Sequence, residues 1–326
     1  MTFHVYTNPS RERCEEVAAR CPENPFMTGS YLAARKALGG HAHLLALEDA
    51  GEVQAGCLAF ERSGYLTRSL EIISLPLLTQ PDEFWNGLQA WCRGRGLSQL
   101  DVNTFASRDT HIPLLDGEEN RRRRCEYVLD LQDETLWKQM SSNHARNIKR
   151  GRKAHVQIRR SSDSDACSLH ASLMASSMTR RRERGEQVPA VLASQLAEVS
   201  ALTAHGAGEI FQAVVDGQVL SSILVLLSRD AGYYHSAGTS AEGMACGASH
   251  VLVHDIAMAL QAASKQQFNL GGVSEPGSGL DQFKRGFGSR RVELDAVHCS
   301  TAGRLTRWIG VGVTALRQVA TAGSTR

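Results

Sequence analysis

One order of elements occurs twice along this chain, and it constrains the fold more than any other feature. Residues 44–60 give an apolar run, a turn at Asp49 to Gly51 and a second apolar run to Phe60. Residues 210–227 repeat this with a turn at Asp216-Gly217, and both segments read as β-hairpins closed by Asp/Gly turns. A strand follows each hairpin, at Ser69 to Ser74 and at Tyr233 to Ala237. Next comes a helix with apolar residues at helical spacing: Phe84, Leu88 and Trp91 in the first copy, Val251, Leu252, Ile256 and Leu260 in the second. The strands Leu97 to Phe105 and Gln267 to Gly271 then close the two copies. An internal duplication of an α/β unit is expected, with a mixed sheet flanked by helices in each copy.

The chain has 326 residues, 42% of them hydrophobic, which is ample for one large core or two medium ones, with two domains as the starting expectation. We expect the boundary near Arg121 to Cys125, giving units 1–124 and 125–326. The linking region should hold a strand Tyr127 to Leu131, a helix Asp133 to Met140 opened by acidic residues, a basic helix Asn143 to Lys153, a strand Val156 to Arg160 and a helix Asp165 to Met178.

A formal net charge of +2 gives no argument for nucleic acid or a membrane surface, so DNA is not an expected partner. The cysteines form no close pairs of the kind that ligate zinc, and they read as reduced, buried thiols. The sequence contains no basic segment followed by an apolar core at its start and no apolar run long enough to span a bilayer. A cytoplasmic location without stable membrane insertion is therefore expected, and the mildly amphipathic stretch Trp308 to Val319 reads as a helix packed on the core.

Three stretches carry a family resemblance. The first is Tyr127-Val128-Leu129-Asp130-Leu131, then Trp137, then Asn143, Arg146, Asn147, Ile148, Lys149 and Arg150. The second runs from Met178 to Gly185, with Pro189 downstream. The third, and most specific, is Phe268 to Gly272, Gly279-Leu280 and Phe283-Lys284-Arg285-Gly286-Phe287-Gly288. Over residues 125–290 the chain resembles the Fem-type peptidyltransferases and the GNAT-superfamily acyltransferases. The resemblance implies a tandem GNAT-like fold that transfers an acyl or aminoacyl group to an amine. The long charged helical hairpin that some members insert is missing, which puts a transfer-RNA-gripping arm in doubt.

Read physically, Lys284 and Arg285 sit in a glycine-bounded turn after the strand Gln267 to Gly271. Acyl transfer develops negative charge on a carbonyl oxygen, and a fixed cation beside it lowers the barrier. Lys284 is the first choice for that role or for a phosphate contact; the alternative has Phe283 and Phe287 as core anchors and the two cations merely solvated. Gly247, Ala248 and Ser249 open a helix, where free amides and small side chains suit the pyrophosphate of acyl-CoA, the expected co-substrate. Arg146 and Lys149 are candidates for substrate phosphates, and Arg182 and Arg184, in a crowded arginine loop, for an anionic acceptor, as is Arg285. Either cluster also reads as a solvated surface. Glu275, His235 and Asp281 have the right chemistry to deprotonate an ammonium acceptor. His250 and His254 lie four apart without a third ligand at suitable spacing, so no metal is expected. The leading expectation is an acyl-CoA-dependent N-acyltransferase acting on a small-molecule, saccharide or cell-wall precursor. The alternatives are an aminoacyl-transfer-RNA-dependent transferase of peptidoglycan bridge formation and a non-catalytic binder of anionic glycans or nucleotides.

Overall fold

The computed structural model describes residues 1–64, 67–108, 112–185, 194–273 and 277–300. The first half runs β1 (Thr2–Thr7), α1 (Arg11–Arg20), α2 (Gly29–Ala37), β2 (His41–Asp49), β3 (Glu52–Ser63), β4 (Arg68–Ile72), α3 (Pro81–Gly94) and β5 (Gln99–Val102), and a long strand β6 (Glu118–Asp130) leads out of it. The helix α4 (Ser142–Lys153) precedes the second half: β7 (Gln157–Ser161), α5 (Ser164–Glu183), α6 (Ser194–Ala204), β8 (Gly208–Val215), β9 (Gln218–Leu227) and β10 (Ala231–Thr239). It continues with α7 (Ala241–Cys246), α8 (Ala248–Ala262), β11 (Gln267–Gly272), α9 (Gly279–Arg285) and β12 (Arg290–Ser300). The order β1-α1-α2-β2-β3-β4-α3-β5 therefore recurs as β7-α5-α6-β8-β9-β10-α8-β11, with α7 added before α8.

Local chemistry accounts for these elements. Both hairpins turn on two residues with positive φ, Ala50 (49°) with Gly51 (86°) and Asp216 (49°) with Gly217 (80°), the geometry whose twist matches that of paired strands. Ser10, Thr28, Ser141, Asp163, Ser240 and Ser278 each accept a hydrogen bond from the backbone N–H three residues on, capping α1, α2, α4, α5, α7 and α9.

Where two separate mixed sheets were expected, the strands form one, in the order β1-β2-β3-β4-β5-β12-β6-β11-β10-β9-β8-β7. Within each half the first four strands are antiparallel, and the last pair, β4 with β5 and β10 with β11, is parallel. The strand that follows each half crosses to the other. β6 pairs with β11 of the second half, β12 pairs with β5 of the first, and β6 and β12 pair antiparallel with each other at the centre. This reciprocal exchange covers edges that two isolated sheets would leave with unpaired N–H and C=O groups. Residues 121–125 lie inside β6.

A large apolar cluster built on Phe26, Tyr31, Phe60, Phe84 and Trp85 continues into the second half through Cys167, Leu202, Leu224 and Tyr233. A second cluster is centred on α8 and includes Phe211, Ile223, Val225, Phe268 and Phe287.

Two local expectations are corrected. The helix expected at 133–140 is a single 3-10 turn, Leu136–Gln139, because the Asp133 carboxylate accepts from both the backbone N–H (2.8 Å) and the hydroxyl (2.8 Å) of Thr135. That local bond competes with helix formation. The arginines at 180–184 do not form a loop, since α5 continues to Glu183 and carries Arg180, Arg181 and Arg182 in its last turn. The partial negative charge of a helix C-terminus offsets their mutual repulsion.

Candidate active site

The parallel pair β10/β11 creates the site by ending early. The two strands are in register only over Ala231–Tyr233 and Gln267–Asn269. Beyond that, β10 runs on to Thr239 with a bulge between Tyr234 and Ser236, while β11 becomes irregular between Asn269 and Gly272. On the other side of β11, β6 pairs with it no further than Glu126. The Arg122–Arg124 stretch of β6 and the Tyr234–Thr239 stretch of β10 therefore face each other across a gap, a cavity of about 590 Å³. Its floor is Gly271, Gly272 and Lys284, and α5 contributes Met174, Ser177, Met178 and Arg181. Sites outside the carboxyl ends of parallel strands are a recurring consequence of such topology.

The corresponding place in the first half is closed. There the β4/β5 pairing is extended by hydrogen bonds from Asn103 N to Ile72 O (2.8 Å) and from Phe105 N to Ile73 O (3.0 Å). Asn24, Ser74 and Ser107 then knit the strand ends together.

Lys284 stands in the last turn of α9, is 4% exposed, and donates from Nζ to the Gly272 carbonyl at 2.6 Å. Its Nζ lies 5.4 Å from the centroid of the Tyr234 ring. Burial pushes its pKa down to about 7, against the opposing pull of the Glu126 carboxylate. Asp281 anchors α9: it accepts from the Tyr127 hydroxyl at 2.5 Å and from Gly277 N at 2.6 Å. The Tyr127 hydrogen bond holds its carboxyl below the usual range. Asp281 is thus an ionised structural anchor that does not line the cavity.

Beneath the floor Glu126, 1% exposed, is satisfied on both oxygens. Oε1 accepts from Arg124 Nη2 (2.8 Å) and the Tyr233 hydroxyl (2.9 Å); Oε2 accepts from Ala106 N (3.0 Å) and Asn269 Nδ2 (2.8 Å). Since Ala106 follows β5, this carboxylate ties the first half to the second. The Arg124 guanidinium lies 3.9 Å over the Phe105 ring, and its buried Nη1 has no hydrogen-bond partner among the described residues.

Of the sequence candidates, Lys284 and His235 line the cavity. His235 is the extra residue of the β10 bulge, with Nε2 3.5 Å from the Glu198 carboxylate. Glu275 lies outside the described residues. Arg146 and Lys149 are exposed on α4, away from the cavity lining. Arg182, Arg184 and Arg285 are also exposed and do not line it, whereas Arg181 does. His250 packs 4.7 Å from His144, with its pKa pushed down to about 4 first by burial. Among the described residues no group of side chains is arranged to hold a metal ion.

Gly247 and Ala248 are buried and off the cavity, as is the half-buried Ser249. Gly247 has φ 82°, and a Cβ there would stand 2.5 Å from the Asn147 carbonyl oxygen of α4. The close approach that this glycine permits within the chain is one helix against another. Gly247→Val should lower the melting temperature by several degrees through that clash and the left-handed backbone, and leave donor affinity intact in the protein that remains folded. Thermal melts and equilibrium binding of coenzyme A check both halves of that expectation.

Sequence reading missed Glu126, Tyr233, Tyr234 and Ser236. A signal existed for the first: Arg124 and Glu126 are two apart in a strand, hence on one face, beside the apolar run 127–129.

Residues 138–285 match the family model described as the acetyltransferase (GNAT) domain. No curated protein matches the chain in sequence. Solved structures resemble it in fold. A FemX crystal structure has 12% identity and a TM-score of 0.66, covering 90% of this chain and 96% of that one. A tandem GNAT protein from the clavulanic acid biosynthesis pathway has 10% identity and a TM-score of 0.54, covering 92% and 99%. The L-PGS structure from Bacillus licheniformis has 12% identity and a TM-score of 0.54, covering 94% and 96%. No helix among the described residues is long and apolar enough to cross a membrane. Residues 138–285 therefore carry the likeness to a GNAT acetyltransferase domain, and the chain around them has the fold of FemX and of the tandem GNAT protein.

Proposed function

We propose that the chain is an N-acyltransferase whose second unit, beginning near residue 125, moves an acyl group, acetyl in the expected case, from acyl-CoA to an amine of a cell-envelope or saccharide precursor in the cytoplasm. The observation that carries this reading is Lys284, a buried lysine with a depressed pKa at the floor of the cavity opened by the parting of β10 and β11. A group that titrates near the working pH is both a hydrogen-bond donor and a proton donor of suitable strength. In its ammonium form Lys284 would stabilise the carbonyl oxygen as negative charge develops and assist departure of the thiolate. The water-poor surroundings strengthen such a charge-assisted bond.

Arg122, Arg123, Arg124 and Arg181 give the cavity a cationic wall. Anionic groups of donor and acceptor would meet that wall. The free, mostly buried cysteines fit a reducing compartment.

An aminoacyl-transfer-RNA donor is the second reading, favoured by the fold likeness to FemX. Mass spectrometry of products after incubation with acetyl-CoA, and separately with charged transfer RNA, against a panel of amino-sugar and peptide amines, tests the proposal. A mass gain on an amine with either donor supports N-acyl transfer and selects between the readings. No gain in either arm would leave the non-catalytic binding reading.

A further inference from the structure

His170, on α5, is fully buried and hydrogen-bonded through both ring nitrogens to serine hydroxyls: Nδ1 to Ser222 on β9 at 2.8 Å, and Nε2 to Ser236 on β10 at 2.9 Å. Ser236 lines the cavity and follows the β10 bulge. Bulges are devices that re-aim a side chain next to a site. The imidazole is neutral, since burial first and then repulsion from His235 push its pKa down to about 4. A neutral imidazole has one N–H and one acceptor nitrogen, so this chain of three groups must run in one direction.

Ser222 sets that direction. Its side chain is fully buried, and the His170 ring is its hydrogen-bond partner among the described residues. If the ring donated to Ser222, the Ser222 proton would be buried without an acceptor. An orphaned donor costs more than an under-used oxygen lone pair. The Ser222 hydroxyl therefore donates to Nδ1, the ring proton sits on Nε2 and is donated to Ser236 Oγ, and the Ser236 proton is left to point into the cavity.

We propose that Ser222, His170 and Ser236 form an oriented relay that presents the Ser236 hydroxyl to the cavity as a fixed hydrogen-bond donor for an oxygen that gains negative charge during transfer. Ser236 touches the reacting group and His170 and Ser222 are positioning residues. This inference rests on the acyl-transfer reading above. No covalent intermediate on Ser236 is required: the serine keeps its proton and supplies a hydrogen bond, as a donor of an oxyanion hole does.

The substrate-free part of the test is long-range proton–nitrogen NMR of the protein with nitrogen-15 histidine, His170 being assigned by its loss in His170→Gln. The expected signal is a neutral ring protonated at Nε2, unchanged between pH 5 and 8. A ring protonated at Nδ1, or one that titrates near pH 6.5, would overturn the inference whatever the enzyme's substrate. The kinetic part uses the acetyl-CoA or transfer-RNA assay. Ser236→Ala should lower kcat by roughly a hundredfold with little change in KM. His170→Gln, whose amide can still donate to Ser236, should retain more turnover than His170→Leu, with thermal melts confirming that both are folded. Equal turnover in Ser236→Ala and wild type would refute the relay. A wild-type protein inactive with both donors but showing the expected tautomer would instead refute the acyl-transfer reading and leave the relay's geometry intact.

Discussion

Lys284→Ala is expected to lower the turnover number by roughly a hundredfold or more while the protein remains folded. The loss should fall on kcat, because the proposed role sets the ammonium, at the floor of the cavity, against charge that exists only in the transition state. Lys284→Arg should rescue poorly. Lys284 is 4% exposed, its Nζ has the Gly272 carbonyl at 2.6 Å on one side and the Tyr234 ring on another, and a planar guanidinium is too wide for that place. A ground-state phosphate contact would behave differently: weaker substrate binding, with arginine restoring much of it. Steady-state kinetics on both variants, with thermal melts as the folding control, separate the two. Near-normal kcat and KM in Lys284→Ala would remove the residue from the active site.

Glu126→Gln is expected to destabilise the protein by about 3–5 kcal/mol, the usual cost of removing one partner from a buried ion pair. Four donors converge on this carboxylate, including Arg124, which lies against Phe105 and whose other terminal nitrogen is without a partner among the described residues. The glutamine amide would bring N–H groups towards donors on one side and leave a buried guanidinium uncompensated. Urea unfolding measures the loss. Because Glu126 also supports the charged form of Lys284, activity in the folded variant should require lower pH than in the wild type. Wild-type stability would show that the four hydrogen bonds contribute little net free energy.

The elements that strong local signals specify were legible from the amino-acid order. Both hairpin turns carry glycine where two left-handed residues are needed, and α8 carries its apolar residues at helical spacing. The partition into hairpin, strand, helix and strand, and the α/β mixed-sheet class, follow from these. The exchange of β6 and β12 was not legible, since nothing in either strand's own pattern names its partner. The same limit applied to α5: the arginine cluster suggested a loop through like-charge repulsion, and only the position of the helix C-terminus reverses that argument.

The site was legible in part for the same reasons. Lys284 and His235 were singled out, one by its motif and one by its chemistry, and both reach the cavity. The contact of Gly247 with α4 was not legible, because a glycine at a helix start serves equally for a ligand or for another backbone. Ser222, Ser236 and His170 come from two strands and a helix far apart in sequence, and their meeting depends on the register of β9 with β10.

The most direct measurement is the pH dependence of kcat for acyl transfer in wild type and in Lys284→Arg. An ammonium donor must be protonated to act, so wild-type kcat should fall as pH rises through about 7, where Lys284 loses its proton. That limb should be absent from the residual activity of Lys284→Arg, whose guanidinium stays charged throughout. A wild-type kcat that is flat or rising from pH 6 to 9, or a limb near pH 7 that survives in Lys284→Arg, would contradict the account.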